Sequence, residues 1–360
     1  MLYLAGDVGG TKVLLQLVKE QADQSFQLIG ERRYLCKDFD SLEAILQRFF
    51  DDFNVSSEIE QACLGLPGPV NGRSAQLTNL PWYVDAEKIE QACSIKQVSL
   101  INDFYAAANG VDVLQPDDLI TLHQSKTSTA SFRPDGNRLV IGAGTGLGVA
   151  PVFYDGARYI PQSSEGGHFE FAPISMTQQW LLQWLWAEWE HVSYERVLSG
   201  PGLETLYTFF KMTDCATTYE TKDSQNLKKS SLSTEENSRL GVIIAQTEST
   251  ALTRSYSAEQ IYQAAQRGES SAVKALTEFV TIYGAYIGAA ALIWNAPGGI
   301  YLAGGIASKM IDWMSKPYFL KAYLEKGRMA PLVEAMPVYL VTNESLGLKG
   351  AMHFNQQNSK

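Results

Sequence analysis

At 360 residues the chain is longer than one hydrophobic core usually supports, so two domains are expected. With 45% hydrophobic and 19% charged residues, a formal net charge of -10 and a pI near 5.0, its composition argues against nucleic acid or an anionic membrane surface as the main partner. Cys36, Cys63, Cys93 and Cys215 stand far apart with no Cys-x-x-Cys pair, which points away from disulfides and thiolate zinc and towards reduced thiols in the cytoplasm.

The segment Met1–Asp7 lacks a basic start and meets an acid at Asp7, so it reads as a first strand rather than a signal peptide. Leu42, Ile45, Leu46, Phe49 and Phe50 recur at helical spacing within 41–52. Ala62–Leu66 is strand-like and must turn at Pro67-Gly68-Pro69. Residues 98–103, Val-Ser-Leu-Ile-Asn-Asp, form an apolar run that delivers a carboxylate at its end and gives way to Ala-rich helical sequence. Either Asn102 or Asp103 can cap that helix, and Asp103 is also placed where α/β sheets present ligands, at a strand's carboxyl end.

Laid on the first strand at a shift of 136 positions, Leu139–Val149 matches Tyr3–Val13 at Gly6/Gly142, Gly10/Gly146 and Val13/Val149. Both are an apolar strand, a Gly-rich turn and another apolar strand, which suggests two related halves. Residues 178–190, with Trp180, Leu181, Trp184 and Leu185, predict an amphipathic helix whose Trp stripe faces core. A polar stretch near 213–253 reads as a solvent-exposed insertion or a partly ordered loop rather than core, without chemistry. From Phe279 to Ser308 no residue is charged, long enough for a membrane span, but Asn295-Ala-Pro-Gly-Gly299 breaks it into a buried helix to about Trp294 and a buried strand at Ile300–Ala303. The strand Val338–Val341 and the helix after Ser345 are expected to return to the first domain.

Gly142-Ala-Gly-Thr-Gly-Leu-Gly148 fits no register of the dinucleotide pattern, and Gly9-Gly-Thr-Lys12 is not a P-loop. Both remain hairpin turns whose missing side chains let backbone N–H groups approach phosphate oxygens. The first also carries Asp7, and a single carboxylate beside two such turns suits one Mg²⁺ held largely through waters. Ala303-Gly-Gly305 closes the late strand and can pass under a nucleoside.

Together with Leu77-Thr-Asn-Leu-Pro-Trp82, Ile101-Asn-Asp-Phe104, Glu165-Gly-Gly-His168 and Glu195-Arg-Val-Leu-Ser-Gly-Pro-Gly202, these motifs resemble the bacterial ATP-dependent glucokinases over nearly the whole chain. The resemblance implies an α/β, two-domain actin-like (ribonuclease H-like) sugar kinase fold with a cleft between domains. The small domain would take 1–108 plus about 337–360, and the large one 109–336 with the polar insertion. It also implies ATP and Mg²⁺ as cofactors, glucose as substrate and Asp103 as the base that accepts the 6-hydroxyl proton. Asn102, Glu165, His168 and Glu195 would bind the sugar, and Asn79 would support the pocket, with Trp82 packing. Gly9, Gly10, Thr11, Gly144, Thr145 and Gly146 would lie along the phosphates, Gly304 and Gly305 beside adenosine, and Asp7 at the metal.

Lys12 stands where many such enzymes carry Asn, placing a cation near the γ-phosphate. A homodimer is an expectation by analogy alone. On the residues themselves, Glu165 and His168 also suit a polar loop or a metal pair, and Glu195 a helix N-terminal acid or a partner of Arg196. A kinase for another hexose or an N-acetylated amino sugar is the nearer alternative, and a non-catalytic sugar-sensing regulator or an actin-like ATPase the more distant.

Overall fold

The computed structural model describes residues 1–23, 25–55, 59–78, 80–124, 135–223 and 256–358. The chain opens with β1 (Leu2–Val8), β2 (Lys12–Glu20) and β3 (Phe26–Leu35), which pair antiparallel in sequence. The first hairpin closes at Val8 opposite Val13, with the Gly9 N–H donating to the Lys12 carbonyl at 2.8 Å. Helix α1 (Leu42–Asp52) starts where the Ser41 side chain accepts from the Ala44 N–H, and it buries Leu42, Ile45, Leu46 and Phe49. Strand β4 (Ile59–Leu66) runs parallel to β1. The small hairpin of β5 (Ser74–Gln76) and β6 (Tyr83–Asp85) leads to α2 (Ala86–Cys93), capped by Asp85, and then to β7 (Ile95–Asn102) parallel to β4. The sheet order is β3-β2-β1-β4-β7.

Helix α3 (Asp103–Gly110) leads to a second sheet built from β8 (Leu119–His123), β9 (Arg138–Ala143), β10 (Leu147–Tyr154), β11 (Tyr159–Pro161), β12 (Ile300–Ala303) and β13 (Val338–Val341). Its order is β11-β10-β9-β12-β13-β8. Three antiparallel strands followed by two parallel ones thus occur in both sheets, with β1 beside β4 matched by β9 beside β12. The sequence echo therefore extends to topology, and β8 is an added antiparallel edge. Val338–Val341, expected with the first sheet, pairs instead with β12 and β8 in the second.

The second sheet packs against α4 (Met176–Leu185), α5 (Gly200–Asp223), α6 (Ala258–Gln266) and α7 (Ser270–Trp294), which share one buried cluster with it. Helix α4 stops short of the expected 190 because the Ala187 and Glu188 N–H groups turn back to carbonyls three residues earlier. Helix α5 continues through the first residues of the insertion expected from about 213. Its polar Thr213 hydroxyl donates to the Phe210 carbonyl at 3.0 Å, and Asp214 accepts from Ser271 at 2.9 Å and pairs with Lys274. The remainder of that insertion, 224–253, lies outside the described residues.

Helix α7 is apolar and long enough to cross a membrane, yet Phe279, Val280, Tyr283 and Ile287 are fully buried in the protein core. The short helices α8 (Gly305–Lys309), α9 (Ile311–Met314), α10 (Pro317–Leu324) and α11 (Ala330–Glu334) follow β12. Helix α12 (Leu346–Asn358) then returns to the first sheet, where Asn355 Nδ2 donates to the Leu4 carbonyl at 2.8 Å. It crosses α3 so closely that a Cβ on Gly350 would stand 1.7 Å from the Ala106 carbonyl oxygen, and one on Gly110 2.4 Å from that of Leu346.

Candidate active site

The end of β7 settles which residue caps α3. Asn102 Oδ1 accepts from the Phe104 and Tyr105 N–H groups at 3.0 and 3.1 Å, while its Nδ2 donates to the Gly68 carbonyl at 3.2 Å. Asn102 is thus the cap, and it ties the Pro67-Gly68-Pro69 turn to the strand end. Asp103 is the first helical residue, and its Oδ1 accepts from the Phe104 N–H at 2.8 Å. Burial pushes its carboxyl up to about 7 against that hydrogen bond, and the charges of Asp7 and Glu165 add to the rise. Burial also raises the Asp7 carboxyl, which Lys12 draws partly back. Helix α12 reaches this carboxylate, where a Cβ on Gly347 would lie 3.2 Å from Asp7 Cγ.

Asp103 faces a cleft of about 410 Å³. Gly9, Gly10 and Asn102 line it from the first half of the chain, and Gly144, Thr145, Gly146 and Gly304 from the second, together with Glu165, His168 and Glu195. Thr11, Lys12 and Gly305 are exposed beside these turns without lining the cleft, and Asp7, whose charge acts on Asp103, does not line it either. Asn79 falls outside the described residues, although its neighbour Thr78 lines the cleft; Trp82 is buried in the first core, as its packing role requires.

The glycines of 142–148 divide their work. Gly144 has open space where a Cβ would project, and its N–H closes the turn on the Gly146 carbonyl at 2.8 Å. Gly146 makes room for Glu195, whose Oε2 would be 2.5 Å from a Cβ there and accepts from the Leu147 N–H at 2.8 Å. Glu195 is also the acid in the first turn of a short 3-10 helix (Tyr194–Arg196), as one expectation had it, while Arg196 stacks over Trp189 at 4.8 Å. The Gly200 N–H donates to the Gly144 carbonyl at 2.8 Å, joining the start of α5 to the turn.

Glu165 and His168 remain exposed, their side chains 3.9 Å apart, and among the described residues no group of three or more His, Cys, Asp or Glu could hold a metal. At Gly166-Gly167 the backbone comes close to β10: a Cβ on Gly167 would lie 2.0 Å from the Leu147 carbonyl oxygen.

Two residues that the motifs do not contain support this wall. Tyr286 of α7 donates to the Gly166 carbonyl at 2.7 Å, and Tyr283, one turn earlier, accepts from the Ala143 N–H at 3.3 Å. The Tyr286 ring also meets that of Tyr194, directly before Glu195, at 4.5 Å between centroids. Their signal in the sequence is two phenol hydroxyls three residues apart in the otherwise apolar stretch 282–294 of that helix, each needing a buried partner.

The open space at the Gly144 Cβ position, in a cleft whose Asp103 feels the charge of the buried Asp7 carboxyl, fits a nucleotide polyphosphate and an accompanying cation. The family model described as Glucokinase matches residues 4–358. A glucokinase of Nostoc sp. is 36% identical over 352 residues, covering 97% of each chain. The crystal structure of a glucokinase from an Antarctic psychrotroph superposes with a TM-score of 0.74 at 26% identity and covers 99% of both chains. A ROK-family glucokinase from Streptomyces griseus, solved with glucose and AMPPNP, shares the fold at a TM-score of 0.59 and 18% identity, covering 99% of this chain and 100% of its own. The architecture is the actin-like two-domain fold of sugar kinases, and the chain belongs to the glucokinase family.

Proposed function

We propose that the protein transfers the γ-phosphoryl group of ATP to the 6-hydroxyl of glucose, giving ADP and glucose 6-phosphate. The observation that carries this reading is the Asp103 carboxyl, raised to about 7, in one cleft with the open Gly144 turn. A carboxyl near neutrality can accept a proton from a hydroxyl and release it to solvent before the next turnover. The sugar oxygen forms its bond to phosphorus as the bond from phosphorus to the departing ADP oxygen breaks, and the hydroxyl proton passes to Asp103. Phosphoryl transfer depends chiefly on placement and charge, so orientation of the hydroxyl by Asp103 is the larger part of its work.

Asn102, Glu165, His168 and Glu195 hold the remaining hydroxyls in this scheme, and Asn79 is assigned a supporting role in the pocket by its motif. Gly9, Gly10, Gly144, Thr145 and Gly146 follow the phosphates, Thr11 and Lys12 add a hydroxyl and a cation at one end, and Gly304 and Gly305 adjoin the nucleoside. Asp7 would hold hydrated Mg²⁺, which when bound neutralises phosphate charge. A coupled ADP-release assay with Mg-ATP and glucose, mannose, fructose or N-acetylglucosamine tests the proposal. Turnover preferring glucose is expected; turnover confined to another sugar, or absent with all four, would refute it.

A further inference from the structure

Phe104 touches both halves of the machinery at once. Its backbone N–H donates to Asp103 Oδ1 at 2.8 Å, so the position of its peptide bears directly on the carboxylate. Its ring, carried on the first turn of α3, packs against the buried cluster that includes Val140, Ala150, Tyr301 and Ala303 of the second sheet. The ring's place is cut out of the β9–β10 hairpin by two glycines that face one another across the ladder, Gly142 and Gly148. A Cβ on Gly148 would fall 1.9 Å from both Cδ2 and Cε2 of the ring, and one on Gly142 would fall 2.8 Å from Cζ. Glycine weakens a strand interior and commonly marks a close approach, and here what approaches is this ring. The same hairpin carries the Gly144-Thr145-Gly146 turn.

We propose that Phe104 is a positioning residue, which fixes the spacing between the Asp103 carboxylate and the second glycine-rich turn by seating its ring between Gly142 and Gly148. The inference rests on the reading of Asp103 as the proton acceptor and assigns how that acceptor is registered against the phosphate-binding turn. Phe104 lines the cleft without a polar group to offer substrate, so its contribution appears in the chemical step rather than in sugar affinity.

The test is a double-mutant cycle on the full-length chain with Phe104→Ala, Gly148→Ala and the double variant, measuring kcat with Mg-ATP and glucose and glucose Kd by calorimetry. Misplacement of a reacting group by about 1 Å lowers turnover by roughly a hundredfold, so each single variant should lose about tenfold to a hundredfold in kcat. Glucose Kd should change by no more than about twofold, because the interaction lost is felt in the transition state. The double variant should be no slower than the slower single one, since the methyl and the ring compete for one space.

Multiplying losses in the double variant, or glucose affinity falling in step with kcat, would overturn the proposal. Should Gly148→Ala fail to fold, Phe104→Leu decides: a kcat equal to wild type overturns the proposal, and a loss at constant glucose Kd supports it. Wild-type protein that phosphorylates no sugar would instead strike the kinase reading, an outcome distinct from a working kinase indifferent to Phe104.

Discussion

Asp103→Asn is the substitution with the most to reveal, because it should damage activity and improve stability together. The amide keeps the shape of the side chain and an oxygen able to accept from the Phe104 N–H, so the start of α3 is preserved. Loss of the proton acceptor should lower kcat by about 10²–10⁴ while glucose still binds. The folded carboxyl sits at about 7 against an ordinary 3.8, so the native state holds this proton more tightly than the unfolded chain does. Stability from this group is complete below about pH 4 and is lost as pH rises through about 7.

The full displacement corresponds to about 4 kcal/mol. Because the side chain is partly open to the cleft, about half of that, some 2 kcal/mol, is the realistic expectation. The variant should therefore match wild type near pH 4, pull ahead between pH 4 and 7 and hold its lead above, in urea midpoints read by fluorescence. Wild-type kcat should climb with pH through about 7 as the carboxylate forms. A variant that turns over at the wild-type rate, or that is less stable than wild type at pH 8, would refute the reasoning.

Glu165→Gln should weaken glucose binding more than ATP binding, and should move the acid limb of kcat to lower pH because the Glu165 charge helps raise Asp103. Calorimetry and a pH–rate profile check both; unchanged sugar affinity would remove Glu165 from the pocket. Tyr286→Phe deletes the donor to the buried Gly166 carbonyl, a loss of about 1 kcal/mol. If that strain is carried by the E-G-G-H turn, glucose Kd rises roughly fivefold while ATP Kd is unmoved, and equal changes in both would point to general loosening instead.

The two glycine-rich hairpins were readable because an apolar strand, a turn and a second strand leave a local pattern, and the repeat at 136 positions exposed their kinship. The late strand at Ile300–Ala303 was likewise fixed by turn chemistry on either side. Partnerships across the chain were less legible. The four residues Val338–Val341 announce a strand but carry no information about which sheet receives it, and they pair in the second. Asn and Asp cap helices about equally well, so sequence could not decide between Asn102 and Asp103, whereas the hydrogen bonds could.

The glycines of 142–148 read as open backbone for phosphate, yet only Gly144 among Gly142, Gly144, Gly146 and Gly148 has free space at its Cβ position. The others admit Phe104, Glu195 and, at Gly142, also the Ala303 carbonyl, groups from elements distant in sequence. Tyr283 and Tyr286 escaped notice for the same reason, since a buried hydroxyl reveals its purpose only with its acceptor or donor in view.

The central claim, phosphoryl transfer to the 6-hydroxyl within the Asp103 cleft, is tested most directly by comparing glucose with 6-deoxyglucose. Each sugar is incubated with Mg-ATP, ADP is followed continuously and the product is identified by phosphorus NMR. The account predicts ADP formation matched by a phosphate monoester on O6 with glucose, and no ADP above background with 6-deoxyglucose. ADP released equally with both sugars, or phosphate found on another oxygen, would contradict it.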